Sequence, residues 1–524
     1  MVNLIPVPLH CENLSGTFSL DDSLKVKSDF DLPLLKLQKE ESGKLIIKKD
    51  TSLSPESYTL DIAQDSIKIC ANDEAGAYYA LQSLRQISRY ELGQRTVACC
   101  KIKDKPRFEW RGLQLDEARH FFGKEKVKEL LDFMFFMKLN VFHWHLTDDQ
   151  GWRIEIKKYP LLTEIGSTRS STHINGWGST EIQHGIHSGF YTQEDIKEII
   201  EYAEKRNITI VPEIDFPAHC AAAIAAYPWL ACREIKRGVA YYFGSSIPEK
   251  ILKIKDWNRT ICAGKSKSVE FVFDVIDEVC DLFPSKYFHI GGDEAPKDEW
   301  KKCPHCQKVI KDNNLKNEEG LQGYFNNLIL EHLKKKGKRL IGWNEILKAH
   351  NIDKSVVAQY WTPQKDKNAQ KHANSGYDII MSNHKSFYFD IPYAQYPLKN
   401  TYNFKTESYG ISSLNAPNIL GVEGENWTEW TNCTEKLQMK LHPRMEALAE
   451  VAWSDNSLIN WKDFKHRLES FKDYYDYFNI NYAVDKISQS KNIFHRTRAK
   501  KLFFKGDTDY EFKLNKEYRK QGLR

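Results

Sequence analysis

The sequence predicts an α/β protein in which a small α/β domain precedes a (β/α)8 TIM barrel and a helical extension follows it. Three observations indicate this architecture. Short apolar segments alternate with amphipathic segments of helical period across residues 106–455. No glycine-rich phosphate loop follows the first of these strands, and polar or aromatic residues end nearly every one. The last two features favour a closed barrel over an open doubly wound sheet.

The first domain is predicted from a change of pattern within the first hundred residues. Tyr58, Leu60 and Ile62 alternate with polar residues as in a half-buried strand, and residues 76–90 have the period of an amphipathic helix. The pattern changes after Lys105-Pro106. We therefore place the domains at residues 1–105, 106–455 and 456–524, which suits a chain too long for one core.

The barrel elements can be assigned one by one. Its strands are predicted to start near Leu113, Val141, Ile208, Tyr287, Leu340, Val356, Ile379 and Ile419. Helices are predicted at 124–138, 193–206, 269–283, 319–336, 364–375 and 436–452. A last helix at 461–478 has an apolar face, and we expect it to close the barrel.

Composition excludes several classes of protein. Hydrophobic residues make up 41% of the chain, and 76 Lys and Arg against 71 Asp and Glu leave a net charge of only +5. Neither a disordered chain nor a nucleic-acid-binding protein fits these values. Residues 484–524 hold 12 Lys and Arg against 5 Asp and Glu, but aromatic residues are interleaved with them. This favours a packed extension with a solvated face over a polyanion-binding arm.

Apolar runs and the first residues of the chain are the evidence for its location in the cell. No run approaches the roughly 18 apolar residues of a membrane span. The start of the chain has no basic segment, apolar centre or small-residue cleavage site. As the chain stands we expect a cytoplasmic protein; the alternative is a secreted, periplasmic or lysosomal protein whose signal was removed.

Carboxylates and tryptophans alternate where the predicted strands end. The residues are Asp116, His143, His145, Asp148, Asp149, Glu213, Asp215, His219, His289, Asp293, Glu294, Trp343, Glu345, Trp361, Tyr388, Asp390, Trp427 and Glu429. Carboxylates transfer protons and bind hydroxyls, and tryptophan rings offer flat platforms for the C–H face of a sugar. The combination predicts a carbohydrate site at the carboxyl ends of the strands.

The most distinctive segment is residues 287–294, where a strand leads into two glycines and two acids. Adjacent strand residues point to opposite faces, so we do not expect Asp293 and Glu294 to face each other across a glycosidic bond. Glu294 is the candidate general acid, and Asp293 is expected to orient a group beside the reacting carbon. A loop-capping acidic pair is the alternative.

Three segments together resemble glycoside hydrolase family 20, the β-N-acetylhexosaminidases. They are His289-Ile-Gly-Gly-Asp293-Glu294, residues 110–120 and residues 139–152, and the resemblance extends from about residue 4 to about residue 482. It implies an exo-acting, retaining enzyme that removes terminal non-reducing GlcNAc or GalNAc. The substrate's own acetamido oxygen would be the nucleophile, through an oxazoline intermediate, with no cofactor and no metal. Its partners would be N-acetylhexosamine-terminated oligosaccharides or glycoconjugates.

The resemblance also implies a role for each matching residue. Glu294 would be the general acid/base, Asp293 would hold the acetamido N–H, and Tyr388 would bind the acetamido oxygen. Trp343, Trp361 and Trp427 would form the walls of the pocket. Arg111 would bind the 3- and 4-hydroxyls of the sugar, and Asp390 and Glu429 would bind its 4- and 6-hydroxyls. His219, backed by Asp148 or Asp149 and by Asp215, would tune Glu294. One departure is Ala218, which stands where the family has glycine before the histidine.

Three other interpretations compete with this one. A metal hydrolase is suggested by His143 and His145, which share one face of a strand, but such a site needs further ligands, and the strands after residue 339 end in Trp, Tyr and carboxylates rather than His or Lys. Cys303 and Cys306 form a single CxxC, for which a disulfide or free thiols is favoured over zinc. A non-catalytic carbohydrate-binding protein would tolerate loss of the acid, whereas Glu294 and its neighbours are present.

Overall fold

A computed structural model describes residues 3–243, 259–362, 364–412 and 418–524. It confirms the predicted architecture: a closed barrel of eight parallel strands lies between a small α/β domain and a group of carboxy-terminal helices. Within these ranges no helix is long and apolar enough to cross a membrane.

The small domain is a six-stranded sheet with one helix packed on it. In spatial order its strands are β1 (His10–Ser19), β6 (Thr96–Asp104), β4 (Tyr58–Ile62), β5 (Ile67–Ala71), β3 (Leu45–Lys49) and β2 (Val26–Ser28). Helix α1 (Glu74–Ser88) begins after Asp73, whose side chain accepts a hydrogen bond from the Gly76 amide at 2.8 Å. Its buried residues cover the sheet.

The barrel strands form one closed parallel ring. In chain order they are β7 (Trp110–Asp116), β8 (Val141–His145), β13 (Thr209–Glu213), β14 (Tyr287–His289), β15 (Arg339–Trp343), β16 (Val357–Tyr360), β17 (Ile379–Met381) and β18 (Ile419–Gly424). Pairing of β18 with β7 closes the ring, with Gly421 opposite Trp110. A side chain at Gly421 would stand 1.7 Å from the Trp110 carbonyl oxygen, so glycine permits this close approach. All eight predicted strands are present.

Short strands outside the barrel ring form two small ribbons above it. They are β9 (Thr147–Asp148) with β10 (Gly151–Trp152), and β11 (Thr168–His173) with β12 (Ile182–Ser188).

Helices surround the barrel and continue beyond it. They are α2 (Lys124–Phe136), α3 (Leu161–Glu164), α4 (Gln193–Glu204), α5 (Ala221–Ala226), α6 (Ser266–Leu282), α7 (Asp298–Lys302), α8 (Pro304–Asp312), α9 (Glu318–Lys335), α10 (Lys367–Asn374), α11 (His384–Phe387), α12 (Leu398–Tyr402), α13 (Thr434–Leu441), α14 (Arg444–Trp453), α15 (Trp461–Tyr477), α16 (Asp485–Ser488), α17 (Ile493–Lys505) and α18 (Tyr510–Lys520).

Two helix predictions need correction. The single helix expected at 436–452 is two helices, α13 and α14, interrupted at His442 and Pro443. Proline has no N–H for the helix and disfavours helical geometry in the residue before it. Helix α15 does not close the barrel; it joins the barrel to the small domain, because Phe471 stacks on Phe136 and the Tyr474 hydroxyl donates to the Arg85 carbonyl.

The carboxy-terminal helices pack against the barrel, as expected for residues 484–524. Ala499, Phe503, Glu511 and Asn515 are buried. The carboxylate of Glu511 accepts the backbone amides of Tyr393 and Ala394 at 2.9 and 2.8 Å. The extension therefore fixes a loop that follows barrel strand β17.

Candidate active site

The two adjacent acids lie in a tight turn after β14. The strand ends at His289, and Gly291, Gly292 and Glu294 have φ angles of 64°, 89° and 44°. A side chain at Gly291 would stand 1.9 Å from Asp215 Oδ1, so glycine is required sterically as well. The acids are therefore not in a strand, and the expectation that they point to opposite faces is wrong.

His219 lies between these acids. Its Nε2 atom is 3.8 Å from Asp293 Oδ2 and 3.8 Å from Glu294 Oε2. Both carboxylates therefore lie on one side of the pocket, around the same imidazole. The Asp293 side chain is 19% exposed and that of Glu294 is 50% exposed. Glu294 is thus the acid open to a ligand, and Asp293 is the enclosed one.

Asp148 orients His219. Its Oδ1 is 3.2 Å from His219 Nδ1, whereas Asp149 Oδ2 is 3.9 Å away. Asp149 instead accepts the Ala221 amide at 3.0 Å. Burial opposes the charged form of His219, but the carboxylates of Asp148 and Asp293 together outweigh it and hold the pKa of the imidazole well above its usual value. Asp215, also expected behind His219, pairs with His145 Nε2 at 2.9 Å.

Asp293 titrates near neutrality. Burial raises the pKa of its carboxyl to about 7; nearby Glu294 adds to the rise and His219 opposes it. Perturbed carboxyl groups of this kind are typical of catalytic sites.

Aromatic rings face one another in the pocket walls. Trp361 stacks on Tyr388 with centroids 6.0 Å apart and planes 24° apart, and Trp427 lies 6.3 Å from Tyr388. Trp343 lies deeper, 5.8 Å from Trp427, and its Nε1 donates to Glu213 Oε1 at 2.8 Å. The four rings predicted from the strand ends are therefore brought together.

The structure contradicts the role expected for Arg111. This residue is the second of β7, at the amino end of the barrel, and it is fully buried against the small domain. Its guanidinium donates to Glu56, to the Tyr79 hydroxyl and to the carbonyls of Phe108 and Lys138. A strand rises about 3.3 Å per residue, so Arg111 lies roughly 17 Å below Asp116, where the pocket begins. Arg111 cannot contact a ligand there.

Arg119 is the arginine of the pocket, and it was not among the residues predicted from the sequence. It lies beyond the carboxyl end of β7, with its guanidinium 5.1 Å from the centre of the Trp427 ring. Asp116 and Asp148 hold it at 3.3 and 2.5 Å, and Gln150 accepts from its Nε at 3.1 Å. The sequence could have indicated this residue, because Arg119 follows the end of the strand, where pocket residues are expected, whereas Arg111 precedes it.

Asp390 and Glu429 are close enough to affect each other. Burial and the Glu429 charge raise the pKa of Asp390 to about 7. Burial also raises the pKa of Glu429, while Arg119 lowers it. Asp390 Oδ1 is buried and has no hydrogen-bond partner in the described part of the chain. It is placed to accept a bond from a bound polar ligand.

The two histidines of β8 do not form a shared metal site. His143 lies 2.7 Å from Glu423 and 3.0 Å from Glu213, while His145 lies 3.0 Å from Asp116 and 2.9 Å from Asp215. Each imidazole therefore has carboxylates at both nitrogens. Among the described residues, no group of converging ligand atoms contains both histidines.

Comparison with known proteins agrees with this geometry. Residues 108–456 match the family model "Glycosyl hydrolase family 20, catalytic domain", and residues 30–105 match "Glycosyl hydrolase family 20, domain 2". A β-hexosaminidase of Porphyromonas gingivalis is 36% identical over 92% of this chain, which spans 64% of that protein's length. A β-hexosaminidase of Vibrio furnissii is 32% identical over 86% of this chain and 76% of that protein.

Solved structures give the same result. The family 20 exo-β-N-acetylglucosaminidase of Vibrio harveyi, solved with N-acetylglucosamine, superposes with a TM-score of 0.80. It is 33% identical, over 92% of this chain and 78% of that chain. A β-N-acetylhexosaminidase of Bacteroides fragilis gives 0.78 at 30% identity, over 91% and 96% of the two chains. With both of its domains matched and its acid pair in the barrel pocket, the chain belongs to glycosyl hydrolase family 20.

Proposed function

We propose that this chain is an exo-acting, retaining β-N-acetylhexosaminidase that removes terminal non-reducing GlcNAc or GalNAc by substrate-assisted catalysis. The observation that carries the proposal is the position of Asp293 and Glu294 around one imidazole, His219. Two carboxylates on the same side of a pocket do not attack and protonate from opposite faces of a sugar ring. The neighbouring pocket walls are the rings of Trp361, Tyr388 and Trp427, which supply no carboxylate nucleophile. The names of the relatives support the same substrate class.

In the first step Glu294 protonates the glycosidic oxygen as the bond from that oxygen to the anomeric carbon breaks. The acetamido oxygen of the substrate forms the new bond to this carbon, giving an oxazolinium ion. Tyr388 donates its hydroxyl hydrogen to the acetamido oxygen and positions it. Because the attack is intramolecular, effective molarities of roughly 10⁵ to 10⁸ M replace a protein nucleophile.

Asp293 accepts the acetamido N–H and stabilises the positive charge that develops on the amide. In the second step Glu294 takes a proton from water, and the resulting hydroxide attacks the anomeric carbon. The bond from this carbon to the acetamido oxygen breaks, which opens the oxazolinium ring. Two inversions at that carbon retain its configuration. His219 is a positioning residue, since it contacts both acids and is itself held by Asp148.

The buried charged groups at one end of the pocket support the exo mode. Arg119, which takes the place first assigned to Arg111, lies with Asp390 and Glu429 where one sugar would present its 3-, 4- and 6-hydroxyls. Charged partners left unpaired reject a ligand that lacks its hydroxyl. A chain that continued beyond the terminal sugar would meet these groups.

A time course on defined chitooligosaccharides tests the mode of action. We expect shortening by one residue at a time from the non-reducing end, with β-configured GlcNAc as the first product by NMR. Internal fragments in the earliest samples, or an α-configured first product, would reject the proposal.

Inhibitors and trapping test the nucleophile. A thiazoline analogue of the oxazoline intermediate should inhibit strongly, and plain β-glucosides should be nearly inert. The Asp293→Asn variant should cleave slowly yet still bind the thiazoline, whereas Asp281→Asn, an exposed acid on α6, should match the parent protein. A covalent fluorosugar adduct on the protein would disprove substrate assistance.

A further inference from the structure

Four cysteines from three separate segments converge beside the catalytic turn. Cys232 follows a short turn of helix at Pro228–Leu230, Cys262 precedes α6, and Cys303 and Cys306 lie at the start of α8. All four Sγ atoms lie within 4.8 Å of one another. Cys262, Cys303 and Cys306 are buried, and Cys232 is partly buried.

The spacing of the sulfurs fits a tetrahedral metal centre. Cys262 Sγ is 3.6 Å from that of Cys306 and 3.7 Å from that of Cys303, and Cys232 Sγ is 3.8 Å from Cys306 Sγ. Four thiolates at about 2.3 Å from a zinc ion stand roughly 3.8 Å apart along the edges of a tetrahedron. No pair is singled out, as a disulfide would require, because Cys262 is about equally close to two partners.

We propose that Cys232, Cys262, Cys303 and Cys306 bind one Zn²⁺ ion as a structural site. The chemistry is that of a closed centre with four cysteine ligands: the four thiols lose their protons on binding, and no coordination position remains for water or substrate. The sequence alone favoured a disulfide or free thiols at Cys303 and Cys306, because their two partners are single cysteines far away in the chain.

The surroundings are built for close approach of these segments. A side chain at Gly264 would stand 2.3 Å from the backbone nitrogen of Cys306, so only glycine lets the segment after Cys262 lie against α8. The Gly264 amide also donates to the Cys262 sulfur. Backbone N–H bonds to a ligating sulfur are typical support for a metal–thiolate centre.

The site would hold the loop beside the general acid. Arg259, three residues before Cys262, donates to the Glu294 carbonyl at 3.4 Å and lies 3.6 Å from Asp149. From the other side, Trp300 Nε1 donates to the Ile261 carbonyl at 2.9 Å. The ion would thus tie the segment that follows Glu294 to the segment carrying Arg259, and we assign it a positioning role rather than a catalytic one.

Metal analysis of the purified protein tests the proposal directly. We expect one zinc per chain after gel filtration, released by a mercurial that blocks thiols. Replacing the zinc with Co²⁺ should give the intense thiolate-to-metal charge-transfer bands of a tetrahedral sulfur site. Substoichiometric zinc, with no zinc uptake by the reduced protein, would overturn the proposal. So would a non-reduced mass lower by two hydrogens for each disulfide among these cysteines.

Variants assign the ligands. Cys303→Ser with Cys306→Ser should lose the zinc, whereas the matched pair Cys280→Ser with Cys433→Ser should retain it. Retention of a full zinc equivalent by the first pair would refute the assignment. If the first pair does not fold, the metal content and cobalt spectrum of the parent protein still decide the question. In a folded variant kcat should fall without a matching rise in KM, since the pocket walls are unchanged.

Discussion

Two polar regions at opposite ends of the barrel differ in how completely their hydrogen bonds are satisfied. The lower seam, between barrel and small domain, consists of Glu56, Tyr79, Asp104, Arg111, Lys138 and Trp453. The upper pocket consists of Arg119, His219, Asp293, Glu294, Trp361, Tyr388, Asp390, Trp427 and Glu429.

In the lower seam every buried polar side-chain atom has a partner. The Asp104 carboxylate, for example, accepts hydrogen bonds from Trp453 Nε1 at 2.9 Å and from Lys138 Nζ at 3.1 Å. In the upper pocket Asp390 Oδ1, Trp361 Nε1 and His219 Nε2 have no hydrogen-bond partner among the described residues. Buried groups left without partners are costly, and a polar ligand that hydrogen-bonds to these pocket atoms would remove that cost. The seam therefore stabilises the fold, whereas the pocket leaves polar atoms open to a ligand.

The strongest test of this contrast exchanges one glutamate in each region for glutamine. Glu294→Gln should lose roughly 10²- to 10⁴-fold in kcat on substrates with poor leaving groups, and less on activated aryl glycosides, because only protonation is removed. Its Tm should stay near that of the parent protein. Glu56→Gln should lower Tm and leave kcat unchanged, since Arg111 loses its carboxylate partner. Equal loss on both substrate types would count against Glu294 as the acid.

The two arginines of the β7 segment give the next test. Arg119→Lys keeps the charge but loses the planar fork, and kcat/KM should fall roughly 10- to 100-fold. The loss should shrink with 3- or 4-deoxy substrates. Arg111→Lys forfeits at least two of its hydrogen bonds and should destabilise the protein by about 2 kcal/mol, measured by urea unfolding, with kcat/KM unchanged. A catalytic defect in Arg111→Lys alone would reverse the assignment.

The pH profile sharpens the comparison within the pocket. Asp293 must be ionised to stabilise the oxazolinium, and burial raises the pKa of its carboxyl to about 7. Protonation therefore removes activity as the pH falls, and kcat/KM should decline about tenfold per unit below pH 7. Asp293→Asn should lack this limb. Asp390→Asn should keep this loss of activity at low pH. Asp390 can bind a hydroxyl with a neutral carboxyl, so its protonation is not expected to remove activity. The opposite pattern would show that Asp390, rather than Asp293, is the group whose protonation removes activity.

The smallest expected effect compares one tryptophan from each region. Trp361→Phe removes an indole N–H without a partner in the described structure, so Tm should not change. Loss of part of the ring platform should raise KM about fivefold, equivalent to about 1 kcal/mol. Trp453→Phe removes the bond to Asp104 and should lower Tm with KM unchanged. A drop in Tm for Trp361→Phe would show that its ring is structural.

The sequence predicted the barrel well because each strand carries a short apolar run of its own. Local patterns also identified the acid pair and the aromatic walls, since all of them follow strand ends. The role predicted for Arg111 was wrong for a local reason as well. A residue that precedes the apolar core of a strand lies at the amino end of the barrel, whereas the pocket lies at the carboxyl end. His219 keeps its place between the acids although Ala218 replaces the family's glycine.

Features that depend on distant segments were beyond local patterns. Asp148 lies closer to His219 than Asp149 does because of the course of the ribbon formed by β9 and β10, which no periodicity records. Cys232 and Cys262 are single cysteines far from Cys303 and Cys306, and only the folded chain brings their sulfurs together. The turn at Gly291 and Gly292 likewise placed both acids on one side, which strand geometry did not predict.

The contact between Glu511 and the backbone of Tyr393 and Ala394 has a consequence for biosynthesis. It spans 118 residues and fixes the loop that begins just after Asp390. On the ribosome this loop emerges long before the residue that caps it. A nascent chain would complete its barrel strands first and the loop after Asp390 only later. We therefore expect full activity only after the carboxy-terminal helices have docked on this loop.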